Sequence, residues 1–191
     1  MDRINRRDWA MIAQAYGLWF QQLVYSGWEP ALLTFMFEHL YGPRAAVAQE
    51  MGDTVEVTYA TLVNRMFRHP KRVALDDLPL WVGCPDYPIL KREGGRLEDM
   101  IRNDGRHIHV VAMTPPGTRL GCSLVDHIDD NQVHYSGSNR RLSRLHAVQI
   151  RSRIEFVADY ALKGAKSSRV GTDGVFILPR LLSELPAKDP D

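Results

Sequence analysis

Cysteine is scarce in this sequence, and so are long apolar runs and an excess of charge of either sign. The only cysteines are Cys84 and Cys122, too few for a disulfide scaffold and not spaced like the ligands of a zinc knuckle. No apolar run approaches the roughly 18 residues of a membrane-spanning helix, and the first residues lack the apolar core of a secretory signal. We therefore expect a cytoplasmic protein that does not bind membranes, with both cysteines reduced and filling core space.

The residues that are present are typical of a folded globular protein. Apolar residues make up 45% of the 191 positions and charged residues 25%, a composition and length sufficient for one domain with a buried core. The formal net charge of +1 neither favours nor excludes nucleic acid as a ligand. Only the distribution of charge along the chain bears on that question.

Hydrophobic periodicity predicts helices and strands in the first third of the chain. Asp8 is placed to cap a first helix, whose aromatic stripe favours core packing over base stacking. Residues 31–37 predict a central strand, followed by a short helix over 43–51. Asp53 and Glu56 have capping-box spacing, which predicts that a second, separate helix begins there.

The remainder of the chain also contains predicted strands and a helix, and one stretch has no pattern that predicts either. Residues 78–84 predict a strand, and residues 117–143 are polar and without clear periodicity. A further strand is predicted over 145–150. Ser152 and Glu155 form a second capping-box spacing, so a helix should follow that Gly164 closes.

The most informative stretch runs from Gly105 to Pro116 and holds two histidines two positions apart. Its apolar and β-branched residues predict a strand that a Pro-Pro pair ends. Side chains alternate along a strand, so His107 and His109 would share one face, about 7 Å apart along the chain. Two imidazoles so placed can converge on one divalent metal ion. The alternative is a polar strand face that carries two histidines by coincidence.

A second motif lies in the last predicted helix, where Tyr160 and Lys163 are three residues apart and so share one helix face. A tyrosine hydroxyl is a poor nucleophile at its usual pKa of about 10. A neighbouring ammonium stabilises the phenolate, or the charge on a phosphate under attack. Together with metal-binding histidines, the pair predicts a phosphoryl-transfer site. The alternative is a tyrosine that packs on its helix beside a solvated lysine.

In the order of these motifs the sequence resembles the HUH endonuclease superfamily, which includes rolling-circle replication initiators, relaxases and single-tyrosine transposases. Residues 31–37 look like the family's first apolar strand with its threonine. His107-Ile108-His109 is similar to the His-hydrophobic-His motif, and Tyr160-Ala161-Leu162-Lys163 to the Tyr-x-x-Lys motif. The likeness covers roughly residues 30 to 166 and is greatest to the single-tyrosine initiators of bacterial plasmids and filamentous phages.

The resemblance implies an α+β fold, with a central antiparallel sheet flanked by helices in a ferredoxin-like arrangement. The endonuclease-like domain would span residues 30–179. An amphipathic helical segment over 1–29 would precede it, and a C-terminal tail over 180–191 would follow.

The implied activity is site-specific nicking of single-stranded DNA and strand transfer, which initiates rolling-circle replication of a plasmid or phage. A Mn²⁺ or Mg²⁺ ion bound at His107 and His109 would activate a DNA phosphate. Tyr160 would attack it, leaving a 5′-phosphotyrosine and a free 3′-hydroxyl, and Lys163 would balance charge. The partner would be single-stranded or origin DNA. A host helicase would unwind the duplex, because the sequence lacks a complete phosphate-binding loop.

The family's third, acidic metal ligand has no clear counterpart on the predicted strand over 78–84. Asp86, just after that strand, is the first candidate, and Glu38, after the first strand, is the second. Of the other histidines, His146 is the one expected nearest to the site, because it lies on the strand that leads into the Tyr160 helix.

Basic residues concentrate around the proposed nucleophile, a distribution typical of proteins that follow a phosphate backbone. A solvated basic face without a ligand is the alternative. The side chains expected to contact DNA are Arg140, Arg141, Arg144, Arg151, Arg153 and Lys166.

Three other functions stay open on the sequence alone. A single-tyrosine transposase would carry the same motifs. A catalytically degenerate DNA-binding protein of the same fold would account for the unclear acidic ligand. A small structural or interaction protein would make the His-x-His pair a coincidence.

Overall fold

The computed structural model describes residues 6–86, 106–137, 141–166 and 174–180. Five antiparallel strands form one sheet with helices packed on both faces, which confirms the α+β class and the antiparallel sheet predicted above. The strands are β1 (Glu29–Phe37), β2 (Leu80–Asp86), β3 (His107–Thr114), β4 (Leu142–Gln149) and β5 (Phe176–Leu178). The α-helices within the described residues are α1 (Arg6–Tyr25), α2 (Arg44–Met66), α3 (Leu124–Asp130), α4 (Ile154–Ala161) and α5 (Lys163–Lys166). Short 3₁₀ turns cover Pro70–Arg72, Leu75–Asp77 and Gln132–His134.

The strand order is β4-β1-β3-β2-β5, so the histidine strand β3 lies at the centre, between β1 and β2. Seven of its eight residues are buried, which agrees with its nearly continuous apolar sequence, since a strand covered on both faces needs apolar residues on both. Every strand pair is antiparallel. A side chain on one strand therefore faces the same side of the sheet as its directly opposite partner.

The two faces of the sheet are covered by different helices and have separate cores. On one face, Leu33 and Phe35 of β1 pack with Met51 and Leu62 of α2. On the other face, α1, α4 and α5 cover β2 and β3. The members of this second core include Trp9, Ala13, Phe20, Val82, Cys84, Val111, Met113, Ala158 and Ala161.

Helix α2 is continuous across Gly52, where the sequence predicted two separate helices. The prediction that a second helix begins at a capping box of Asp53 and Glu56 is therefore wrong. A glycine inside a helix costs about 1 kcal/mol relative to alanine. Burial of Val47, Met51 and Val55, which recur every four residues on one face, outweighs that cost because each buried aliphatic side chain contributes about 1.5–3 kcal/mol.

The predicted bounds of the Tyr160 helix are wrong at both ends. Arg153, not Ser152, precedes the first turn of α4, and it adopts a left-handed conformation with φ 54° and no side-chain cap. Helix α4 ends at Ala161, and Gly164 lies inside α5 instead of closing α4. A Cβ atom on Gly164 would lie 2.1 Å from the carbonyl oxygen of Pro85, so glycine is needed here for close packing against β2 and not as a helix stop.

The stretch left unassigned contains α3, whose first turn is capped by Ser123 accepting a hydrogen bond from the Asp126 amide at 3.1 Å. Cys84 is buried as expected, but Cys122 is exposed, because it lies in the turn before α3 and not on a core-facing strand. Within the described ranges, no helix is both long and apolar enough to cross a membrane.

Candidate metal and nucleophile site

The candidate site forms where the end of β2 lies beside the beginning of β3. Asp86 is directly opposite His107 in the strand register, and Cys84 is opposite His109. Opposite residues share a face of the sheet, so Asp86 joins the two histidines on the face covered by α4 and α5. Asp86 is the last residue of β2, because the strand extends two residues beyond the predicted end.

The donor atoms of these three residues converge. The Nε2 atoms of His107 and His109 lie 3.0 Å apart, and His107 Nε2 lies 3.2 Å from Asp86 Oδ2. All three donors fall within 4.8 Å of one another. Adjacent ligands of an octahedral ion with bonds of about 2.1 Å are about 3 Å apart, so the spacing suits a divalent metal. Across the described residues, this is the one cluster of three such side chains compact enough to hold a metal ion.

The electrostatic environment keeps two of these donors in the forms that bind metal. Burial, followed by electrostatic interactions with His107 and Lys163, lowers the pKa of His109 to about 3, so this 5% exposed imidazole is neutral. Burial acts to raise the pKa of Asp86, but hydrogen bonds to His107 and Lys163 outweigh it and hold the pKa at about 2. Metal ions bind histidine as the neutral imidazole and aspartate as the ionised carboxylate.

Thr34 of β1 orients His109 from the other side. The two residues are direct partners in the β1–β3 register, and Thr34 Oγ1 lies 3.1 Å from His109 Nδ1. In the tautomer with its proton on Nδ1, His109 donates to Thr34, and Nε2 keeps its lone pair toward Asp86 and His107. The sequence pattern predicts Thr34 only as part of the first strand. Its contact with His109 depends on the strand register, which no local sequence pattern reveals.

Tyr160 and Lys163 are on the helices that cover this face of the sheet, and their side chains lie beside the donor group. The ring centroids of Tyr160 and His109 are 4.7 Å apart, and Tyr160 remains 44% exposed. Lys163 Nζ lies 4.2 Å from the centroid of the Tyr160 ring and 2.7 Å from Asp86 Oδ2. The tyrosine is thus next to a candidate metal ligand and is also exposed to solvent.

Lys163 reaches Asp86 because the helix breaks before it. The chain turns at Leu162 between α4 and α5, so Tyr160 and Lys163 are on consecutive short helices and not on one continuous face as predicted. Burial acts to lower the pKa of Lys163, but hydrogen bonds to Asp86 and Tyr160 outweigh it and raise the pKa. The ammonium is therefore charged, and it is placed between the carboxylate and the tyrosine.

Cys84 connects β2 to the end of α4 and is not a member of the donor group. Its thiol donates a hydrogen bond to the carbonyl oxygen of Ala161, the last residue of α4, at 3.2 Å. Burial raises the pKa of Cys84 to about 11. The thiol therefore stays protonated at neutral pH and links β2 to the helix that carries Tyr160.

Two other candidate ligands lie outside the donor group. Glu38 follows β1 and is exposed, and its backbone amide donates to the carbonyl oxygen of Arg141 at 2.9 Å. His146 is on the face of the donor group, opposite Thr34, but β1 separates its strand from β3. Neither residue belongs to the cluster of Asp86, His107 and His109.

The predicted DNA-binding residues divide into three sets, and Arg140 lies outside the described residues. Arg144 is exposed on the face of the donor group, opposite Met36, which is itself opposite His107. Two of the others have acidic partners: Arg141 pairs with Glu50 and Lys166 with Asp159. The last two, Arg151 and Arg153, are exposed before the first turn of α4, whereas Tyr160 is in its last turn, about 10 Å along the axis.

Searches of family models, of curated proteins and of solved structures found no match to this chain. The features that bear on function are therefore the donor group, the tyrosine and lysine beside it, and the motif resemblance described above.

Proposed function

We propose that this protein is a metal-dependent endonuclease and strand transferase that nicks single-stranded DNA through a 5′-phosphotyrosine and initiates rolling-circle replication of a plasmid or phage. One observation carries the proposal: an exposed tyrosine packs on His109, a member of the Asp86, His107 and His109 donor group. Metal ligands beside an accessible nucleophile are the arrangement that cleavage of a phosphodiester by tyrosine requires.

The donor group would hold Mn²⁺ or Mg²⁺, which supplies Lewis acidity toward the phosphate oxygens. The Tyr160 hydroxyl oxygen would attack the phosphorus and release its proton to solvent. The bond between phosphorus and the 3′ oxygen would break, and that oxygen would take up a proton and leave as a hydroxyl. The resulting tyrosyl ester would hold the downstream fragment by its 5′ phosphate. Attack of a 3′-hydroxyl on that phosphorus would then break the bond to Tyr160 and transfer the fragment.

Lys163 would stabilise charge at two points in this reaction. Its ammonium contacts the Tyr160 ring, where it favours the phenolate that forms as the proton leaves. It also pairs with Asp86, so it neutralises a carboxylate that would otherwise repel an incoming phosphate. Arg144, on the same face of the sheet, is the predicted basic residue best placed to contact the backbone of a bound strand.

Formation of a covalent adduct tests the proposal directly. A pool of end-labelled single-stranded DNA would be incubated with the full chain and Mn²⁺ or Mg²⁺ and then separated on a denaturing gel. We expect a protein–DNA adduct that disappears with chelator and in Tyr160→Phe. Tyr41→Phe is the matched control, because Tyr41 is also an exposed tyrosine but packs on His39 and not on His109. An adduct that survives in Tyr160→Phe would reject the assigned nucleophile.

A second candidate is a DNA-binding protein that has the fold without the cleavage activity. The observation that favours it is the pairing of Lys163 with Asp86 at 2.7 Å, because a lysine that neutralises the carboxylate replaces part of the role of a metal ion. This candidate would bind single-stranded DNA in a mobility-shift assay and form no adduct with any divalent metal. A single-tyrosine transposase would form the adduct, but on the ends of a mobile element and not on a replication origin.

A further inference from the structure

Helix α1 has a second apolar face in addition to the one that it buries. The buried face contains Trp9, Ala13 and Phe20. At 3.6 residues per turn, another set of residues lies about 180° away on the helix. We call this set the α1 seam; its members are Met11, Ala15, Leu18, Gln22 and Tyr25, and all five are exposed. The exposed fraction is 57% for Met11, 56% for Leu18 and 89% for Tyr25.

The α1 seam has the spacing of a coiled-coil interface. Its residues recur at alternating intervals of four and three, the pattern in which a and d positions of a heptad meet a partner helix. Trp19, 42% exposed, flanks the seam. The pattern is independent of the candidate metal site, since none of its residues contributes to that site.

The charge distribution of α1 indicates what kind of partner the seam would contact. Between Trp9 and Tyr25 there is no charged residue, although a quarter of all residues in the chain are charged. A helix face that stays in water usually carries charged side chains. Helices that bind anionic membranes carry lysine or arginine on the polar face, and this stretch has neither. The uncharged seam therefore favours another protein surface.

We propose that the α1 seam is a homodimer contact, in which it packs antiparallel against the seam of a second copy. A twofold interface requires a patch that is complementary to itself. Antiparallel pairing of a with d positions places Leu18 of each copy over Ala15 of the other, and Met11 against Gln22. A parallel pair would instead oppose Ala15 to Ala15 and leave a gap. The large Leu18 against the small Ala15 at the centre of the seam thus fits the antiparallel arrangement.

Helix α1 packs closely on the rest of the fold, and the contact that its seam offers is small. On the buried side, α1 packs closely on α4, where a Cβ atom on Gly17 would lie 2.9 Å from the Cα atom of Glu155. The exposed part of the seam offers on the order of 500 Å² per partner, below the roughly 800 Å² of a standard stable interface. We therefore expect a weak dimer, with a dissociation constant of about 1–100 µM.

Sedimentation velocity with the full chain, from about 1 to about 300 µM, tests the dimer across its expected range. Leu18→Glu and Ala15→Lys should each raise the dissociation constant at least about tenfold, because each leaves a charge against an apolar residue. Mixing the two variants should restore association, since Glu at 18 of one copy then faces Lys at 15 of the other. Val57→Glu, at an exposed valine of α2, is the matched control and should leave the dimer unchanged.

Circular dichroism would verify that each variant is folded. A wild-type protein that stays monomeric at about 300 µM, or a dimer that Leu18→Glu does not weaken, would overturn the proposal. Binding of the monomer to vesicles of phosphatidylcholine and phosphatidylglycerol, lost in Leu18→Glu, would also overturn it and assign the seam to a lipid surface.

Discussion

At the scale of single residues, the hydroxyl of Thr34 contacts a candidate metal ligand. It meets His109 Nδ1 at 3.1 Å, and contacts behind a ligand of this kind are typically worth 10- to 100-fold in metal affinity. We predict that Thr34→Val, which keeps the shape but removes the hydroxyl, weakens Mn²⁺ binding by at least about tenfold. Isothermal titration calorimetry measures the change.

Thr61→Val is the matched control for that variant. The Thr61 hydroxyl donates to the backbone of Val57 within α2, away from the donor group, so the affinity for Mn²⁺ should not change. Equal affinities in the Thr34 and Thr61 variants would show that Thr34 does not orient His109.

The shifted pKa values of the candidate ligands His109 and Asp86 predict how stability depends on pH in the absence of metal. Below its ordinary pKa of 6.5, His109 binds a proton in the unfolded chain but not in the folded one, where its pKa is about 3. Asp86, with a folded pKa of about 2, adds stability above its unfolded pKa of about 3.9 that is lost as the pH falls toward 2. Both effects make the free energy of unfolding decrease on acidification.

Between pH 6 and pH 4 the His109 contribution amounts to at most about 1.4 kcal/mol per pH unit. Urea denaturation in chelator at pH 6, 5 and 4 measures the slope, which should become shallower in His109→Gln. His134→Gln is the control, because His134 is exposed. If the His109 and wild-type slopes coincide, the buried imidazole is not the source of the acid sensitivity.

At the scale of secondary-structure elements, α5 depends on a glycine for its position on β2. We predict that Gly164→Ala destabilises the fold by about 1–3 kcal/mol, because the added Cβ atom would lie 2.1 Å from the backbone oxygen of Pro85. It should also weaken Mn²⁺ binding, because relief of that clash would shift Pro85, the residue next to the candidate ligand Asp86 on β2. Thermal denaturation and metal titration of the same samples test both effects.

Gly52→Ala is the natural comparison, because the two variants differ only in their surroundings. Gly52 lies inside α2, and nothing lies within 4 Å of the position that its Cβ atom would take. The variant should therefore stabilise the protein by about 0.5–1 kcal/mol, the usual gain for alanine within a helix. Stabilisation by Gly164→Ala as well would indicate that α5 does not pack closely on β2.

At the scale of the whole molecule, a metal that binds only the folded state stabilises all of it. At a free concentration 100 times the dissociation constant, the gain is about 2.7 kcal/mol, or a rise in Tm of about 5–10 °C for a protein of this size. We predict this rise with Mn²⁺, its reversal by chelator and its absence in Asp86→Asn. Differential scanning calorimetry measures it.

His134→Ala should keep the full rise in Tm, because His134 is exposed on the 3₁₀ turn after α3 and is not part of the donor group. A rise that persists in Asp86→Asn would place the stabilising metal elsewhere. If no divalent metal raises the Tm, then Asp86, His107 and His109 form a hydrogen-bonded structural group and not a metal site.

Local patterns in the sequence were sufficient to predict the features that depend only on the backbone geometry of a single strand or helix. Alternation along a strand places His107 and His109 on one face wherever that strand packs, and the apolar run of β3 indicates burial on both sides. Helix ends were less predictable. Gly52 and Gly164 read equally well as helix stops, yet one is solvated inside a long helix and the other is in close contact with a strand.

Only the tertiary structure decided which distant residues meet at the site. Asp86 faces His107, and Thr34 faces His109, through strand register, which reflects the packing of the whole sheet and not any short motif. The break between α4 and α5 then brings Lys163 to Asp86, and α2 provides an acidic partner for Arg141. The sequence by itself determined which side chains could do chemistry; packing over long separations determined which of them share one centre, because contacts across the chain have no local period.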